Sequence, residues 1–386
     1  MIHRQEGYVL KKIREVSVLL PFGQAVADQK RGITLNETGV FLWKELERPG
    51  TRQSLTEKLL RYYQAGEENR EAIGEDVEYF IKQLLELGIL REDLKPAGEP
   101  LYGFMEIAGF SVKLLGQAAF FSEAFTPFLT ENKSIPDMEI EIINGIPSSR
   151  QTGQILVHNP DMTICSWENG YVVKFHKMKN IVEAYMTDNG RYVRFYCLQQ
   201  GDCKQEQENI FHGIRLFFLY FAQKKGCMAV HSASILYGGR AWLFSGQAGA
   251  GKSTHTRLWK ETLGVLELNG DLNLIGKAFD GTWTVYGIPW CGTSGISTVK
   301  AYPLGGIVLL EQAAKDQAEE LFGYRKVLRV MQRMISPSWT EQLMTRNLSF
   351  AQEMAEEIPV FQLKCTKDPS AVDVIKEQID EWEVRL

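Results

Sequence analysis

Residues 241–259 of the chain read AWLFSGQAGAGKSTHTRLW, and this stretch decides the fold. Within it, residues 246–253 match the pattern G-x-x-x-x-G-K-[ST] of phosphate-binding loops. The apolar run before the pattern predicts a buried strand, and the residues after it contain no helix breaker. Strand, glycine-rich loop and helix is the order that this motif requires. The stretch therefore predicts an α/β domain with a phosphate-binding loop.

Each residue type in this loop has a role in phosphate binding. The glycines let backbone N–H groups approach phosphate oxygens, and the helix start adds unsatisfied donors. Lys252 is expected to reach the β- and γ-phosphates of ATP, and Ser253 to offer its hydroxyl to Mg²⁺. The alternative is a glycine-rich turn that only joins a strand to a helix. The predicted nucleotide-binding residues are Gly246, Gln247, Ala248, Gly249, Ala250, Gly251, Lys252, Ser253 and Thr254.

Composition and charge narrow the possible classes of protein. The chain has 386 residues, of which 44% are hydrophobic and 24% charged, as expected for two or three folded domains. Its net charge of −5 gives no general attraction to nucleic acid or to membrane surfaces. The six cysteines show no metal-type spacing, and no apolar run is long enough to span a membrane. We expect a cytoplasmic protein that binds neither nucleic acid nor membrane.

Residues 1–93 carry the pattern of a small winged-helix-like domain. Asn36 is predicted to cap a first helix, Ser54 and Glu57 to form a capping box for a second, and Gly88 to end a third. The predicted strands before these helices are 8–13, 16–20 and 32–35.

This N-terminal segment resembles the PqqD-like family of peptide-recognition domains. The resemblance rests on GITLNETGVFLWKEL at residues 32–46 and on its spacing to DVEYFIKQLLELGIL at residues 76–90. It implies that the leader of a ribosomally synthesised precursor peptide adds as a strand at the sheet edge, beside the third helix. The alternative is a small domain that only packs on its neighbour.

The middle of the chain, residues 101–225, is predicted to be an antiparallel β region with a connecting helix at residues 208–223. Met138 begins an alternating MEIEI run, and the Asn169-Gly170 and Asn189-Gly190 pairs predict hairpins. The preceding LKPAGEP, residues 94–100, predicts a domain boundary. We expect this region to be structural or to shape the substrate site.

The last domain, residues 226–386, resembles the kinase domain of HPr kinase/phosphorylase and the wider phosphoenolpyruvate-carboxykinase-like group. The residues that carry the resemblance are MAVHSASILYGGRAWLFSGQAGAGKST at 228–254, LNGDLNLI at 268–275 and YGIPWCG at 286–292. It implies a P-loop α/β domain that transfers a phosphoryl group from ATP. Dimers and hexamers occur in this group, so a homo-oligomer is possible.

The same resemblance assigns catalytic roles outside the loop. The family has a histidine on the strand before the loop and an acidic pair on a later strand, which correspond here to His231 and to Gly270 with Asp271. Asp271 is expected to bind Mg²⁺ with Ser253 or to accept the proton of the attacking hydroxyl, and His231 to assist proton transfer or to contact the terminal phosphate. With Lys252, these two residues are the predicted catalytic residues. The glycine in place of the first acid allows a slow or inactive enzyme. A histidine on a buried strand is alternatively an ordinary core residue.

Several other residues are weaker candidates. An acceptor-binding segment or a tight structural loop is predicted for Trp290, Cys291, Gly292 and Lys300. A basic helical stripe, either solvated surface or a grip on a phosphopeptide or nucleotide, is predicted for Arg325, Arg329 and Arg333. Asp280 is expected at a hairpin tip, and His255 on a solvated helix face.

These observations together predict a multi-domain α/β kinase. It would bind the leader of a precursor peptide through its first domain and phosphorylate a Ser or Thr hydroxyl of the core peptide with ATP and Mg²⁺. Two alternatives stay open. One is a small-molecule kinase, and the other is a non-catalytic adaptor that binds nucleotide and leader.

Overall fold

The computed structural model describes residues 2–5, 7–27, 31–87, 89–92, 98–131, 135–147, 153–167, 170–199, 201, 203–247 and 249–385. The chain forms two compact units, Met1–Pro96 and Ala97–Leu386. Both contain helices and sheets, which confirms the predicted α/β class with several sheets. Gly88, Asn169 and most of the predicted boundary at residues 94–100 lie outside the described residues, and the three predicted domain ranges stay a prediction.

The first unit contains a three-stranded antiparallel sheet with the order β2-β3-β4, a separate β1–β5 pair, and helices after the strands. Its elements are β1 (Ile2–Arg4), β2 (Tyr8–Ile13), β3 (Val16–Pro21), α1 (Gln24–Ala27), β4 (Ile33–Leu35), α2 (Glu37–Glu45), α3 (Arg52–Tyr63), α4 (Arg70–Glu86) and β5 (Leu90–Glu92). Its core consists of apolar side chains from α2, α3 and α4, including Leu42, Leu55, Leu59, Val77 and Ile81.

Local capping explains where two of these helices begin. Asn36 caps α2 as predicted, because its side-chain oxygen accepts the backbone N–H of Gly39 at 2.8 Å. The predicted capping box of Ser54 with Glu57 is wrong. Thr51 is the N-cap of α3, and its side chain and that of Ser54 each accept the backbone N–H of the other residue, at 3.0 and 3.1 Å. Since Thr51 is extended at φ −105° and ψ 156°, α3 begins three residues earlier.

The second unit begins with a nine-stranded sheet of order β10-β11-β12-β13-β14-β9-β7-β6-β8. Its pairs are antiparallel, as predicted, except that β9 runs parallel to both β7 and β14. A parallel return needs a long connection, and residues 116–137 between β7 and β9 provide one. The strands are β6 (Leu101–Ile107), β7 (Phe110–Leu115), β8 (Leu129–Thr130), β9 (Met138–Asn144), β10 (Ile155–His158), β11 (Met162–Trp167), β12 (Gly170–Phe175), β13 (Ile181–Thr187) and β14 (Tyr192–Cys197).

Helix α5 (Cys203–Lys224) joins this sheet to the rest of the unit. Its aromatic residues Phe217, Phe218 and Phe221 are buried in one core with strand residues of the nine-stranded sheet and with Trp290 from the later part of the chain. Burial of such side chains contributes about 1.5–3 kcal/mol each. The helix is therefore held on both sides by packing.

The phosphate-loop region is built on a sheet of order β16-β15-β18-β19-β20-β22-β21. Strand β16 pairs antiparallel with β15 and parallel with β20, which also pairs parallel with β22. Among the described residues, no helix has the length and apolar character needed to cross a bilayer. The elements are β15 (Met228–Tyr237), β16 (Arg240–Gly246), α6 (Lys252–Leu263), β17 (Leu266–Asn269), β18 (Leu272–Lys277), β19 (Trp283–Tyr286), β20 (Ala301–Gln312), β21 (Gln317–Glu320), α7 (Gly323–Met331), α8 (Glu341–Glu357), β22 (Val360–Cys365) and α9 (Ser370–Glu383).

Candidate active site

The glycine-rich segment forms the turn between β16 and α6. Gly249 and Gly251 have φ of +78° and +100°, a conformation that favours glycine, and Gly251 is the N-cap of α6. A Cβ atom built at either position would meet no neighbouring atom, so this face of the turn is open. Open glycine backbone next to a helix N-terminus is the arrangement that binds phosphate groups.

The predicted nucleotide-binding residues are distributed along this strand, turn and helix. Gly246 ends β16, the next residues form the turn, and the last three lie in the first turn of α6. Ser253 is exposed there and Thr254 is half-buried. Ala248 lies outside the described residues.

Three predicted catalytic side chains form one connected cluster. The Nζ atom of Lys252 lies 2.8 Å from Nε2 of His231, and Nδ1 of His231 lies 3.3 Å from Oδ1 of Asp271. The side chains of His231 and Asp271 are 35% and 32% exposed, so a ligand can reach both. The structure thus brings together residues from β15, from the start of α6 and from the junction of β17 with β18.

The protonation of this cluster follows from its partners. Burial and the neighbouring Lys252 ammonium lower the pKa of His231, so its imidazole is neutral at pH 7. Because Nε2 of His231 accepts from the Lys252 ammonium, the proton of the neutral ring is assigned to Nδ1, which lies 3.3 Å from Oδ1 of Asp271. Burial also lowers the pKa of Lys252. The Asp271 carboxylate therefore lies beside a neutral imidazole.

Backbone hydrogen bonds position the Asp271 carboxylate. The side-chain oxygen of Asn269 accepts the backbone N–H groups of Asp271 and Leu272 at 3.0 and 3.1 Å. The carbonyl of Asp271 accepts the N–H of Ser232 in β15 at 3.0 Å. These bonds fix the turn between β17 and β18 against the strand that carries His231.

The neighbouring position has no room for a second acid. A Cβ atom built on Gly270 would overlap the Ser294 side chain, and the N–H of Gly270 donates to the carbonyl of Ile296 at 3.2 Å. The segment after Trp290 therefore occupies the space that an acidic side chain at position 270 would need. In this packing Asp271 is not preceded by the acid that the resemblance in the sequence predicts at position 270.

A cleft of about 450 Å³ adjoins the turn. It opens at the carboxyl ends of the parallel strands β16 and β20, which is where ligands bind in open α/β sheets. Gln312 at the end of β20 donates from Nε2 to the carbonyl of Gly249 at 2.8 Å. The lining residues are Gly246, Gln247, Gly249, Ala250, Leu309, Leu310, Glu311, Gln312, Arg329, Gln332 and Arg333.

Arg333 connects this cleft to the catalytic cluster. Its carbonyl accepts the backbone N–H of His231 at 2.9 Å, and its positive charge helps to lower the pKa of both His231 and Lys252. The predicted helical stripe is wrong at this residue, because α7 ends at Met331 and Arg333 lies in the following turn. Arg329 does lie on α7 and lines the cleft, whereas Arg325 is exposed.

Three residues that line the cleft are Arg333, Glu311 and Gln312. The sequence analysis did not single out Arg333 from the other two arginines of the stripe, and it did not consider Glu311 or Gln312. The stripe pattern is common on solvated helices, so it gave no reason to single out one arginine. For Glu311, the run IVLLE is a usable signal, because it predicts a buried strand that ends on a carboxylate.

Of the weaker acceptor-side candidates, only Gly292 lies against a predicted catalytic residue, and within the described part of the chain the other three have no sign of a role in the site. Trp290 is a core residue that donates from Nε1 to the carbonyl of Phe211 at 2.9 Å, and Lys300 is exposed. Burial raises the pKa of Cys291, which disfavours a nucleophilic thiolate. Gly292, with φ +61°, lies against Asp271, since a Cβ atom built on it would be 2.7 Å from the Asp271 Cβ.

Two further expectations have opposite outcomes. Asp280 lies at the tip of the β18–β19 hairpin and accepts the N–H of Thr282 at 2.9 Å, as predicted. The expectation that His255 lies on a solvated face is wrong. His255 is 2% exposed and stacks on Phe244 with ring centroids 5.1 Å apart, and burial lowers its pKa to about 4. The face of α6 that contains His255 packs on the sheet, so position 255 belongs to the buried side of the helix.

Comparisons with known proteins support one part of the sequence interpretation. Residues 18–90 match the family model described as coenzyme PQQ synthesis protein D (PqqD), which confirms the predicted resemblance of the N-terminal segment. A search of curated proteins finds no match.

A solved structure of the Hpr(Ser) kinase/phosphatase from Coxiella burnetii also matches part of the chain. The two share 9% sequence identity, and the alignment covers 41% of this chain and 95% of that chain with a TM-score of 0.24. Similarity of this degree supports no conclusion about fold or activity. The case for phosphoryl chemistry therefore rests on the geometry of the site.

Proposed function

We propose that the chain is an ATP-dependent kinase that binds the leader of a ribosomally synthesised precursor peptide through the Met1–Pro96 unit and phosphorylates a Ser or Thr hydroxyl of that peptide. The observation that carries this proposal is the connected cluster of Lys252, His231 and Asp271 beside an open phosphate-loop turn. A base, a cation and exposed backbone donors at one point are the parts that phosphoryl transfer needs.

The residues present fit a bound nucleotide. Lys252 and Arg333 place positive charge at the turn, and the backbone at Gly249 and Gly251 is open there. Ser253 and Asp271 are the oxygen ligands that would hold Mg²⁺, which commonly takes one or two protein ligands together with phosphate oxygens. When bound, Mg²⁺-ATP supplies the phosphoryl group and neutralises its developing charge.

Asp271 is the proposed general base. Its carboxylate accepts the proton of the acceptor hydroxyl, and the backbone hydrogen bonds of Asp271 to Asn269 and Ser232 fix the turn that carries it. His231 stays neutral during this step because burial and Lys252 lower its pKa. The chain thus orients the acceptor and takes its proton, and Lys252 and Arg333 stabilise negative charge on the donor side.

The N-terminal unit supplies the substrate class of this proposal. Members of the PqqD family recognise precursor peptides, and this chain matches the family over residues 18–90. A bound leader raises the local concentration of the core peptide at the second unit, so the acceptor pocket needs little affinity of its own. A cytoplasmic location, the absence of nucleic-acid and membrane partners, and a homo-oligomer stay predictions.

The test is phosphorylation of precursor peptides by the full chain. Candidate precursor peptides are incubated with the full chain, ATP and Mg²⁺, and a mass gain of about 80 Da, one phosphoryl group, is expected on Ser or Thr. Lys252→Ala should abolish the gain. Lys260→Ala is the matched control, since Lys260 lies on the same helix in a surface ion pair with Glu267.

A mass gain that persists unchanged in Lys252→Ala would contradict the proposal. Phosphorylation of a metabolite pool but of no peptide would favour the small-molecule kinase instead.

The packing at Gly270 favours one second candidate, a non-catalytic adaptor. Because Ser294 excludes an acid at position 270, the site lacks the acidic pair of related kinases. An adaptor would bind ATP and leader in calorimetry but show neither peptide phosphorylation nor ATP hydrolysis. Any phosphorylation that depends on Asp271 eliminates this candidate.

A further inference from the structure

Helix α5 presents two half-buried side chains that have no role in the site described so far. Within the described part of the chain, Arg215 makes no hydrogen bond or ion pair with any side chain. The Nδ1 atom of His212 is shielded from solvent and has no hydrogen-bond partner there. The Nε2 atom of His212 is 3.9 Å from Glu208, beyond hydrogen-bond distance. The guanidinium of Arg215 and the Nε2 atom of His212, whose side chain is partly exposed, can therefore donate to a further ligand.

Packing places this part of α5 beside Asp271. The carbonyl of Phe211 accepts the Nε1–H of Trp290 at 2.9 Å, and Phe218 packs on the same indole with ring centroids 5.4 Å apart. Two residues further on, Gly292 lies against Asp271. The turn of α5 that contains His212 and Arg215 thus contacts the segment that covers Asp271.

Electrostatic interactions agree with this placement. Burial lowers the pKa of Arg215, and the Asp271 carboxylate partly offsets this effect. Burial and Arg215 lower the pKa of His212, again with a partial offset from Asp271. The Asp271 carboxylate therefore interacts electrostatically with Arg215 and His212 as well as with Lys252 and His231.

A half-buried guanidinium without an anion has an energetic cost. It loses part of its hydration and gains no hydrogen bond in return. Asp271 offsets this cost only in part, because within the described residues no ion pair joins its carboxylate to Arg215. Unpaired, partly buried basic groups beside a catalytic cluster are typical of a ligand-binding position.

We propose that His212 and Arg215 form an anion-binding subsite on the acceptor side of Asp271, which binds a carboxylate next to the acceptor hydroxyl. This inference rests on the proposed function, because the proposed function assigns Asp271 as the general base for the acceptor hydroxyl. A guanidinium matches a carboxylate through two parallel N–H···O bonds, and the neutral His212 can donate a third.

A carboxylate fits better than a second phosphate. The phosphate-binding backbone and the cations Lys252 and Arg333 are grouped around His231, which accepts from Lys252 and donates its backbone N–H to the carbonyl of Arg333. The α5 side offers one permanent positive charge and no open glycine turn. The carboxylate comes from an acidic side chain next to the acceptor residue or from the end of the peptide when the acceptor is the last residue.

The test compares acceptor peptides that differ in one group. Precursor peptides with the same leader carry the acceptor next to Glu or to Gln, and a further pair ends in a free carboxylate or an amide directly after the acceptor. The full chain, Arg215→Gln and Arg215→Lys are compared with Lys204→Gln, a control at an exposed position of the same helix. Steady-state phosphorylation gives KM and kcat, and thermal unfolding checks that each variant is folded.

We expect Arg215→Gln to raise KM for the carboxylate-bearing acceptor by about 10- to 100-fold, with little effect on its amide counterpart. Arg215→Lys should recover part of the loss, and Lys204→Gln should behave as the unchanged chain does. The pair of peptides that shows the difference identifies whether the carboxylate is a side chain or a chain end. An equal loss for both members of each pair would overturn the proposal.

A binding measurement separates this inference from the proposed function. Leaderless acceptor peptides are titrated into the full chain without ATP, and the carboxylate form is expected to bind more tightly than the amide form, with the difference lost in Arg215→Gln. This result is obtained even if the chain transfers no phosphate. Equal binding of the two forms, or loss of ATP binding in Arg215→Gln, would assign Arg215 elsewhere.

Discussion

The two sides of Asp271 are built in different ways. On the phosphate-loop side, the backbone donors and Lys252 come from one contiguous segment, residues 246–254, whose geometry is set by a strand, a turn and a helix start. On the α5 side, the proposed subsite residues His212 and Arg215 lie on a helix that contacts the Asp271 region through Trp290, which packs on Phe211 and Phe218. The first side is encoded locally and the second by tertiary packing, so the two differ in how mutations affect them.

Loss of the Lys252 ammonium is the largest effect that we expect. Lys252→Ala should lower phosphorylation by about 10³-fold or more, because the site loses a cation that stabilises charge in the transition state. The rate is measured at saturating peptide and over a range of ATP concentrations. Lys260→Ala should stay within about twofold, since exposed ion pairs contribute little. A small effect of Lys252→Ala would mean that the phosphate side is not the donor side.

The shared residue Asp271 is the second test. Asp271→Asn should reduce kcat by about 10²- to 10⁴-fold with a smaller change in KM for ATP, because the amide cannot accept the hydroxyl proton. Asp280→Asn at the exposed hairpin tip is the control. If KM for ATP alone changes, Asp271 serves the metal and not the acceptor.

Substitution of Arg333 tests whether the cleft beside the phosphate-loop turn is part of the phosphate-binding site. Arg333→Ala should reduce kcat by roughly 10²-fold, since its charge acts on His231 and Lys252. Arg325→Ala changes an exposed residue of α7 and should have little effect. If Arg333→Ala and Arg325→Ala change kcat equally, Arg333 has no special role in the site and is an ordinary solvated arginine.

Gly270 tests the packing between the two sides. Gly270→Asp adds the second acid that the resemblance in the sequence predicts, but it should lower the free energy of unfolding by about 1–3 kcal/mol, because Ser294 occupies the space. Chemical denaturation measures this change. Gly270→Asp combined with Ser294→Gly should recover stability, and Ser294→Gly alone provides the reference. An unaltered stability in the single variant would show that the segment after Trp290 moves freely.

His255 gives the smallest expected effect, which is on stability and not on catalysis. It tests whether this histidine of α6 is a core residue, although it lies next to the phosphate-loop residues in the sequence. Its pKa is lowered from 6.5 to about 4, so the unfolded chain binds more protons than the folded chain as the pH falls through this window. Stability should therefore decrease between pH 7 and pH 5, with about 1–2 kcal/mol attributable to His255. His255→Phe should lose this part of the pH dependence. His158→Phe, at an exposed position, should retain it.

The locally encoded features were predictable from the sequence. The strand–turn–helix at residues 241–259 follows from glycine conformation and apolar patterning, and the Asn36 cap follows from one side chain and one N–H group. The start of α3 was missed because Thr51 and Ser54 offer two similar caps one turn apart, and reciprocal hydrogen bonding favours the earlier one.

Features that depend on packing between distant segments were not predictable. Position 255 is buried because α6 turns that face to Phe244, and a histidine gives no apolar signal in the sequence. Arg333 reaches the site through a backbone bond to a strand about a hundred residues earlier in the chain. Neither the burial of His255 nor the contact of Arg333 with His231 produces a periodic pattern in the sequence, so neither could be predicted from it.

The segment after α7 runs alongside β15 through main-chain hydrogen bonds. His231 donates to the carbonyl of Arg333 and Ile335 donates to the carbonyl of Ala229, both at 2.9 Å. The cleft wall and the strand that carries His231 are thus joined by main-chain hydrogen bonds. Any displacement of α7 that widens the cleft must either break these bonds or move His231 with it, so entry of a bulky ligand and the position of His231 are mechanically linked.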